Sequence, residues 1–141
     1  MPWIVWLDLD TEFGEDGSVR SILRPPKPEH INHNGHVNAP VIYRVAEVAG
    51  AGAAVMAAGA AGTGAYTVIR SSTIEYQRLA NGGITASSEV DLAVAADIQR
   101  ALQAGEGRDI DVDISLTDAD GTCTGACEFV VSMRPHRTER D

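Results

Sequence analysis

Glu47 is the one acid in a run of small apolar residues from Ala39 to Ala61, and Arg44 is the only other charge within it. An ionised carboxylate on so apolar a segment is costly to bury unless a partner neutralises it or chemistry uses it. Immediately upstream lies Asn32-His33-Asn34-Gly35-His36-Val37-Asn38, a polar, turn-forming stretch. A helix starting after it would present free backbone N–H groups and the positive end of its dipole. A carboxylate that can attack or activate water, next to donors suited to an oxyanion, is equipment for acyl chemistry.

The elements that must position these groups can be read from the pattern. Asn38 suits an N-cap, Ala39 the first helical residue, and Pro40 is tolerated in the first turn. The helix is predicted to run to about Ala60, ended by Gly59, Gly62 and Gly64. Ala46, Ala49, Gly50, Ala53, Ala54 and Ala57 leave so little side chain that another element must approach closely, as a curved sheet would. Before the helix, Trp3 to Leu9 reads as a first strand or a short helix, Glu12 to Gly17 as a turn, and Ser18 to Arg24 as a strand. Pro25, Pro26 and Pro28 then hold the chain extended. After the helix only strands are expected, over 66–78, 84–96, 108–117 and 122–133. Asp97 to Gly107 reads as a polar loop or helical turn, and Asp118-Ala119-Asp120-Gly121 as a hairpin turn. The order predicts an α+β domain: one long helix wrapped by a curved antiparallel sheet of five or six strands.

At 141 residues, 44% apolar and 22% charged, the chain suits one globular domain, expected over 1–134, with a charged tail over 135–141 expected to be disordered. Eleven basic against twenty acidic residues give a net charge of −9, which argues against nucleic acid or an anionic membrane as partner. A small anionic ligand needs only a local basic patch, for which Arg70, Arg78, Arg100 and Arg108 are candidates. No signal peptide is visible, and the apolar helix is interrupted by Arg44 and Glu47, so a cytoplasmic protein is expected. Cys123 and Cys127 fall four apart on one predicted strand face, a poor geometry for a disulfide and too few thiols for a metal site. Reduced core thiols are the expected state.

The string Asn32-His33-x-Gly35-x-x-x-Ala39, followed by Ala46-Glu47-x-Ala49-Gly50, is similar to the motif leading into the central helix of hotdog-fold acyl-CoA thioesterases. In particular it resembles the group that includes PaaI-like thioesterases, and the element order resembles that fold over roughly residues 3 to 134. The resemblance implies a homodimer or homotetramer that hydrolyses an acyl-CoA without metal or redox cofactor. Position by position, it makes Glu47 the catalytic carboxylate, as nucleophile or as general base toward water. It makes the Ala39 backbone N–H the oxyanion donor and has Asn32 hold the thioester or the water. Gly35 and Asn38 would contact the substrate, and Ser71, Ser72 or Thr73 would orient the attacking water. Many relatives carry His-Gly-Gly where this chain has Asn38-Ala39-Pro40. Proline has no N–H, so Ala39 alone can donate at that step.

On one helix, the eight residues from Ala39 to Glu47 span about 12 Å. That is too far for both to act on one carbonyl, which needs donor and attacking group each near 3 Å from the reacting atoms. The two groups must therefore come from different copies of the chain, with two sites at the subunit interface. Plainer readings stand beside this one. Glu47 could simply pair with Arg44 within the helix, Asn32 could bond its own turn, Asn38 could only cap the helix, and His33 and His36 could be loop surface. His33 precedes Glu47 by fourteen residues, the separation of the His and Glu pair in hotdog 3-hydroxyacyl-thioester dehydratases. Those enzymes surround the pair with Phe-Pro-Gly and Pro-Gly turns that this chain lacks. A third reading is a non-catalytic acyl-binding hotdog dimer. Small residues at Ala51, Gly52 and Ala54 would leave room for a bulky acyl group.

Overall fold

The apolar run begins its helix at Ala39 and continues to Ala58 (α2), then tightens into a 3-10 turn over Gly59–Gly62. In the computed structural model, which describes residues 2–135, the inner side of α2 is buried from Val41 through Ala49 and Ala53 to Ala58. Two glycines let the sheet come within contact of this helix. A Cβ on Gly50 would stand 3.0 Å from Ile114 Cδ1 and 3.3 Å from Phe129 Cδ2, and one on Gly52 3.0 Å from Val19 Cγ1. Ala54 is fully buried. Gly52 and Ala54 therefore admit the sheet, not a bulky acyl group as the sequence suggested. Residues 39–62 are also, among the described residues, the one stretch long and apolar enough to cross a membrane, and half of it is buried inside the domain.

Six strands wrap α2: β1 (Leu9–Phe13), β2 (Val19–Leu23), β3 (Ala65–Tyr76), β4 (Ile84–Ser88), β5 (Arg108–Asp118) and β6 (Cys123–Pro135). Their order across the sheet is β1-β2-β4-β5-β6-β3, and every neighbouring pair is antiparallel. Along β5, Ile110, Val112, Ile114 and Leu116 point to the helix while Asp111, Asp113 and Ser115 face outward, the alternation expected of a sheet with one covered face. This is the hotdog architecture. Among the described residues, β3 follows α2 and pairs only with β6, which leaves its outer edge open.

Several local expectations need correction. The N-terminal alternative resolves to a short helix, α1 (Pro2–Leu7), and Glu12 and Phe13 belong to β1, so the turn begins only at Gly14. The strand expected over 84–96 stops at Ser88. A helix, α3 (Leu92–Gln103), replaces its second half and most of the expected polar loop. Asp91 caps it by accepting the Ala93 N–H at 2.7 Å, and Ile98, Ala101 and Leu102 bury one side. Gln99 Nε2 ties α3 to α2 by donating to the Ala57 carbonyl at 2.8 Å. The pairing register slips between Leu116 and Thr117, which leaves Cys123 exposed instead of beside the buried Cys127. Burial pushes the Cys127 thiol up to about 11. Pro135 closes β6, so it is not part of a tail; the rest of the expected tail, 136–141, lies outside the described residues.

Edge strand β3 is fastened to the sheet by charge. Arg70 sits at a bulge between Ile69 and Ser71 and pairs with Asp109 of β5. Asp109 also accepts from Ser132 Oγ at 2.8 Å and Arg134 Nη2 at 2.7 Å, both on β6. Bonds from Ser132, Arg134 and Arg70 hold the Asp109 carboxyl down to about 2. Arg108 and Arg100 both face Asp97, so three of the four arginines offered for an anionic ligand already have acidic partners. Arg78 alone has no ion pair among the described residues.

A carboxyl whose folded pKa is depressed stabilises the fold fully above its unfolded pKa and loses that contribution as pH falls toward the folded value. The Asp109 contribution should therefore be intact above about pH 4 and fade toward pH 2. Asp109→Asn is expected to lower the melting temperature at neutral pH and to flatten its decline between these limits. Thermal denaturation of both proteins across that range checks this, and an unchanged acid slope would contradict it.

Candidate functional site

The approach to α2 is organised by a residue for which the sequence suggested no role. His30 is fully buried at the end of a 3-10 turn (Pro28–His30). Its Nδ1 accepts the Lys27 N–H at 3.1 Å, its carbonyl accepts the Asn38 N–H at 2.8 Å, and its ring meets Trp6 edge-on at 5.2 Å. His30 thereby holds the helix start against α1. Between them, Ile31 and Val37 form a single antiparallel bridge.

Asn32 closes the tip of that small hairpin. Its Oδ1 accepts from the Asn34 N–H at 2.9 Å and the His36 N–H at 3.2 Å, and its own N–H donates to the His36 carbonyl at 2.8 Å. Gly35 turns the chain at φ 79°, a conformation glycine adopts without strain. The turn reading of Asn32 is thus realised, and its side-chain NH2 remains without a partner among the described residues. His33 is exposed beside this turn and makes no hydrogen bond there, and His36 is half-buried.

Asn38 departs from expectation. Its backbone is extended (φ −65°, ψ 136°), but its side chain makes no capping bond. The next residue, Ala39, is exposed, and its N–H donates to none of the described residues. The start of α2 thus keeps one unclaimed donor at the positive end of the dipole.

Glu47 lies two turns along, its side chain 27% exposed, with Arg44 Nη1 donating to its Oε2. The intrahelical pair is therefore present, and the acid is neither sealed in the core nor free in solvent. Oε1 has no partner among the described residues, and Arg44 Nε is buried without one.

Of the three candidate hydroxyls on β3, Ser72 is the one tied to the helix, through a 3.1 Å hydrogen bond with the Tyr43 hydroxyl. Ser71 and Thr73 are exposed on the strand. Tyr76 adds a second tie by donating its hydroxyl to the Ala39 carbonyl at 3.4 Å. Desolvation, with smaller contributions from Cys127 and Tyr43, raises the pKa of that phenol, which keeps it a donor. Tyr43 and Tyr76 were missed in the sequence; the available signal was a tyrosine on each of two facing elements, whose hydroxyls need partners once half-buried.

At the same helix end opens a cavity of about 370 Å³, walled by Trp3, Trp6 and Leu7 of α1 and by Pro40, Val41 and Tyr43 of α2. Asn38, Arg44 and Glu29 complete its rim. The residues on either side of Ala39 thus both face this space. Among the described residues, no three His, Cys, Asp or Glu side chains gather as a metal site would require.

A family described as "Domain of unknown function (DUF4442)" matches residues 16–133. No curated protein matches the sequence. The fold is similar to that of a Pseudomonas aeruginosa protein of unknown function described as a probable thioesterase, with a TM-score of 0.80 at 20% identity over 96% of this chain and 89% of that one. It is similar to a Haemophilus influenzae thioesterase (TM-score 0.73, 16% identity, 99% and 87% covered). It is also similar to the Escherichia coli PaaI protein from the phenylacetic acid degradation operon (0.71, 15%, 96% and 86%). At these identities the likeness speaks for the fold.

The turn geometry separates two roles for Asn32. Asn32→Ala removes the acceptor for two backbone N–H groups and should cost about 1 kcal/mol of stability. Asn32→Asp keeps both acceptors and should stay near the parent. Urea denaturation of the three proteins checks this; an Asn32→Ala protein as stable as the parent would contradict it.

Proposed function

The chain belongs to the family described as a domain of unknown function, DUF4442, and on that premise we propose that it is an acyl-CoA thioesterase whose site is shared by two subunits. One observation carries this reading: an unclaimed N–H at Ala39 and a half-exposed carboxylate at Glu47 on a single helix. Their backbone positions lie about 12 Å apart along that helix. Solved relatives named as thioesterases support the reaction class.

In the proposed reaction the thioester carbonyl oxygen accepts the Ala39 N–H, where the helix dipole favours developing negative charge. Glu47 of the partner subunit attacks the carbonyl carbon or takes a proton from the attacking water. The C–S bond then breaks and CoA leaves as the thiolate. Where Glu47 has attacked, water cleaves the resulting mixed anhydride to the free acid and supplies the thiolate's proton. Where water has attacked, the free acid forms directly and Glu47 returns its proton to the thiolate. Arg44 orients the Glu47 carboxylate through Oε2 and leaves Oε1 for the chemistry. Ser72, held by Tyr43, is the hydroxyl we assign to orienting water. The CoA portion would run outward past Asn32 and Gly35 on the exposed turn.

Dimer formation has support in the open edge of β3. Its twelve residues contain neither proline nor lysine, and its edge is interrupted only by the bulge at Arg70 and by Glu75. Tyr66 and Val68 on that strand, and Val55 and Met56 on α2, are exposed. Two copies joined along β3 would continue the sheet and set their helices side by side, and two such dimers would give a tetramer. Nothing favours the dehydratase reading, because no contact directs His33 toward a carboxylate.

Release of free thiol from a panel of acyl-CoA esters tests the reaction. Glu47→Gln should lower kcat at least about 10²-fold while light scattering still reports the parent's oligomer. Ala39→Pro removes the N–H yet suits the first helical position, and ψ 136° at Asn38 is the conformation preferred before proline. It should lower kcat by about 10²–10³-fold. Absence of thiol release from every ester, or full activity in either variant, would overturn the proposal.

A further inference from the structure

The sequence holds two tryptophans, Trp3 and Trp6, and both line the cavity at the start of α2. They pack edge-to-face with ring centroids 5.2 Å apart, and Trp6 leans on the buried His30 ring at 5.2 Å. Yet they remain 58% and 44% exposed. Braced against each other, they form a firm apolar wall with open space before it. The facing wall is as firm, since Tyr43 packs on Phe129 at 5.4 Å and bonds Ser72.

Arg44, which lines the cavity, and His30, which touches Trp6, each carry a buried polar atom (Nε and Nε2) without a partner among the described residues. His30 Nδ1 accepts a hydrogen bond, so its proton resides on Nε2; both atoms are therefore donors. Leaving a buried donor unmade is costly, so each such group calls for an acceptor from water, an ion or a ligand. An apolar chamber beside the unclaimed Ala39 N–H suits an apolar group that ends in an acceptor oxygen.

We infer that this cavity receives the acyl group of the thioester and that Trp3 and Trp6 set the length it accepts. This rests on the thioesterase reading in one respect: a carbonyl at the Ala39 N–H lies between Asn38 and Pro40, so its acyl chain meets the cavity directly. The carbonyl oxygen then has the Ala39 N–H as its donor. A space of about 370 Å³ is small for a ligand site and over twice the roughly 150 Å³ that encloses benzene. The substrate class is an uncharged acyl group of medium length. An acetyl group would leave the cavity empty, and a long fatty chain would run into the indoles.

Because the cavity holds both tryptophans, indole fluorescence of the unmodified protein reports on it. A decyl-CoA thioether, which cannot be hydrolysed, should change the emission saturably, and CoA alone should not. In thiol-release assays from acetyl- to palmitoyl-CoA, the parent should peak at intermediate length. Trp6→Ala should raise the ratio of kcat/KM for palmitoyl- over octanoyl-CoA at least about tenfold. Trp6→Phe, which keeps a ring and guards against misfolding, should shift that ratio in the same direction by less. Thiol release with no indole response to the thioether, and the same length profile in both variants, overturns this inference and leaves the hydrolase reading standing. A saturable indole response without thiol release from any ester does the reverse. Silence in both assays overturns both.

Discussion

A straight α-helix fixes the distance between any two of its backbone positions, and the proposed site depends on that distance. Ala39 and Glu47 stand eight residues apart, about 12 Å along the axis. The sheet clamps the rod between them, with Val19, Ile114 and Phe129 pressed against the glycines at 50 and 52. Bending α2 enough to bring donor and acid onto one carbonyl would break this packing. A second copy of the chain can bring its own acid to the first copy's donor with no such strain, and the open edge of β3 offers a place for it to join.

The surrounding residues keep that donor available. His30 anchors the backbone on one side of the start of α2, Asn32 closes the turn that leads to it, and Tyr43 and Tyr76 stitch the first helical turn to β3. None of them takes the Ala39 N–H. Arg44 has two engagements: its guanidinium bonds Glu47, and the residue lines the tryptophan-walled cavity. One side chain thus touches the acid of one proposed site and the acyl cavity of the other. An Arg44 substitution would disturb both at once, which makes the tryptophans and Glu47 the cleaner positions to vary.

Much of this was legible in the sequence, for identifiable reasons. The start of α2 was marked by Asn38 and Pro40, its buried side by alanines at helical spacing, and β5 by strict alternation of aliphatic and polar residues. What the sequence hid was α3. Glu89-Val90-Asp91-Leu92 alternates like the strand before it, so the run reads as continuous. Asp91 in fact caps a helix whose Ile98, Ala101 and Leu102 recur at three and four residues, a period too short-lived to outweigh the preceding alternation. The exposure of Cys123 depends on one register slip opposite Thr117, which no spacing rule reveals. In the candidate site, Glu47 stood out by type and position, and Ala39 was marked as first helical residue by its place after Asn38 and as a donor only by the family resemblance. The ties made by Tyr43 and Tyr76 join segments far apart in the chain and emerge only once the sheet has closed on the helix, while the His30 ring finds its neighbour only when Trp6 of α1 packs on it.

Mixing two inactive variants tests the shared site most directly. Subunits carrying Glu47→Gln and subunits carrying Ala39→Pro, unfolded together and refolded, form hybrids in which one interface pairs an intact Ala39 with an intact Glu47. Acyl-CoA hydrolysis should then reappear in the mixture and be absent from either variant refolded alone. If the mixture stays as inactive as its parts, while light scattering and a tag on one variant show that hybrids have formed, donor and acid do not meet across the subunits and the two-chain site is wrong.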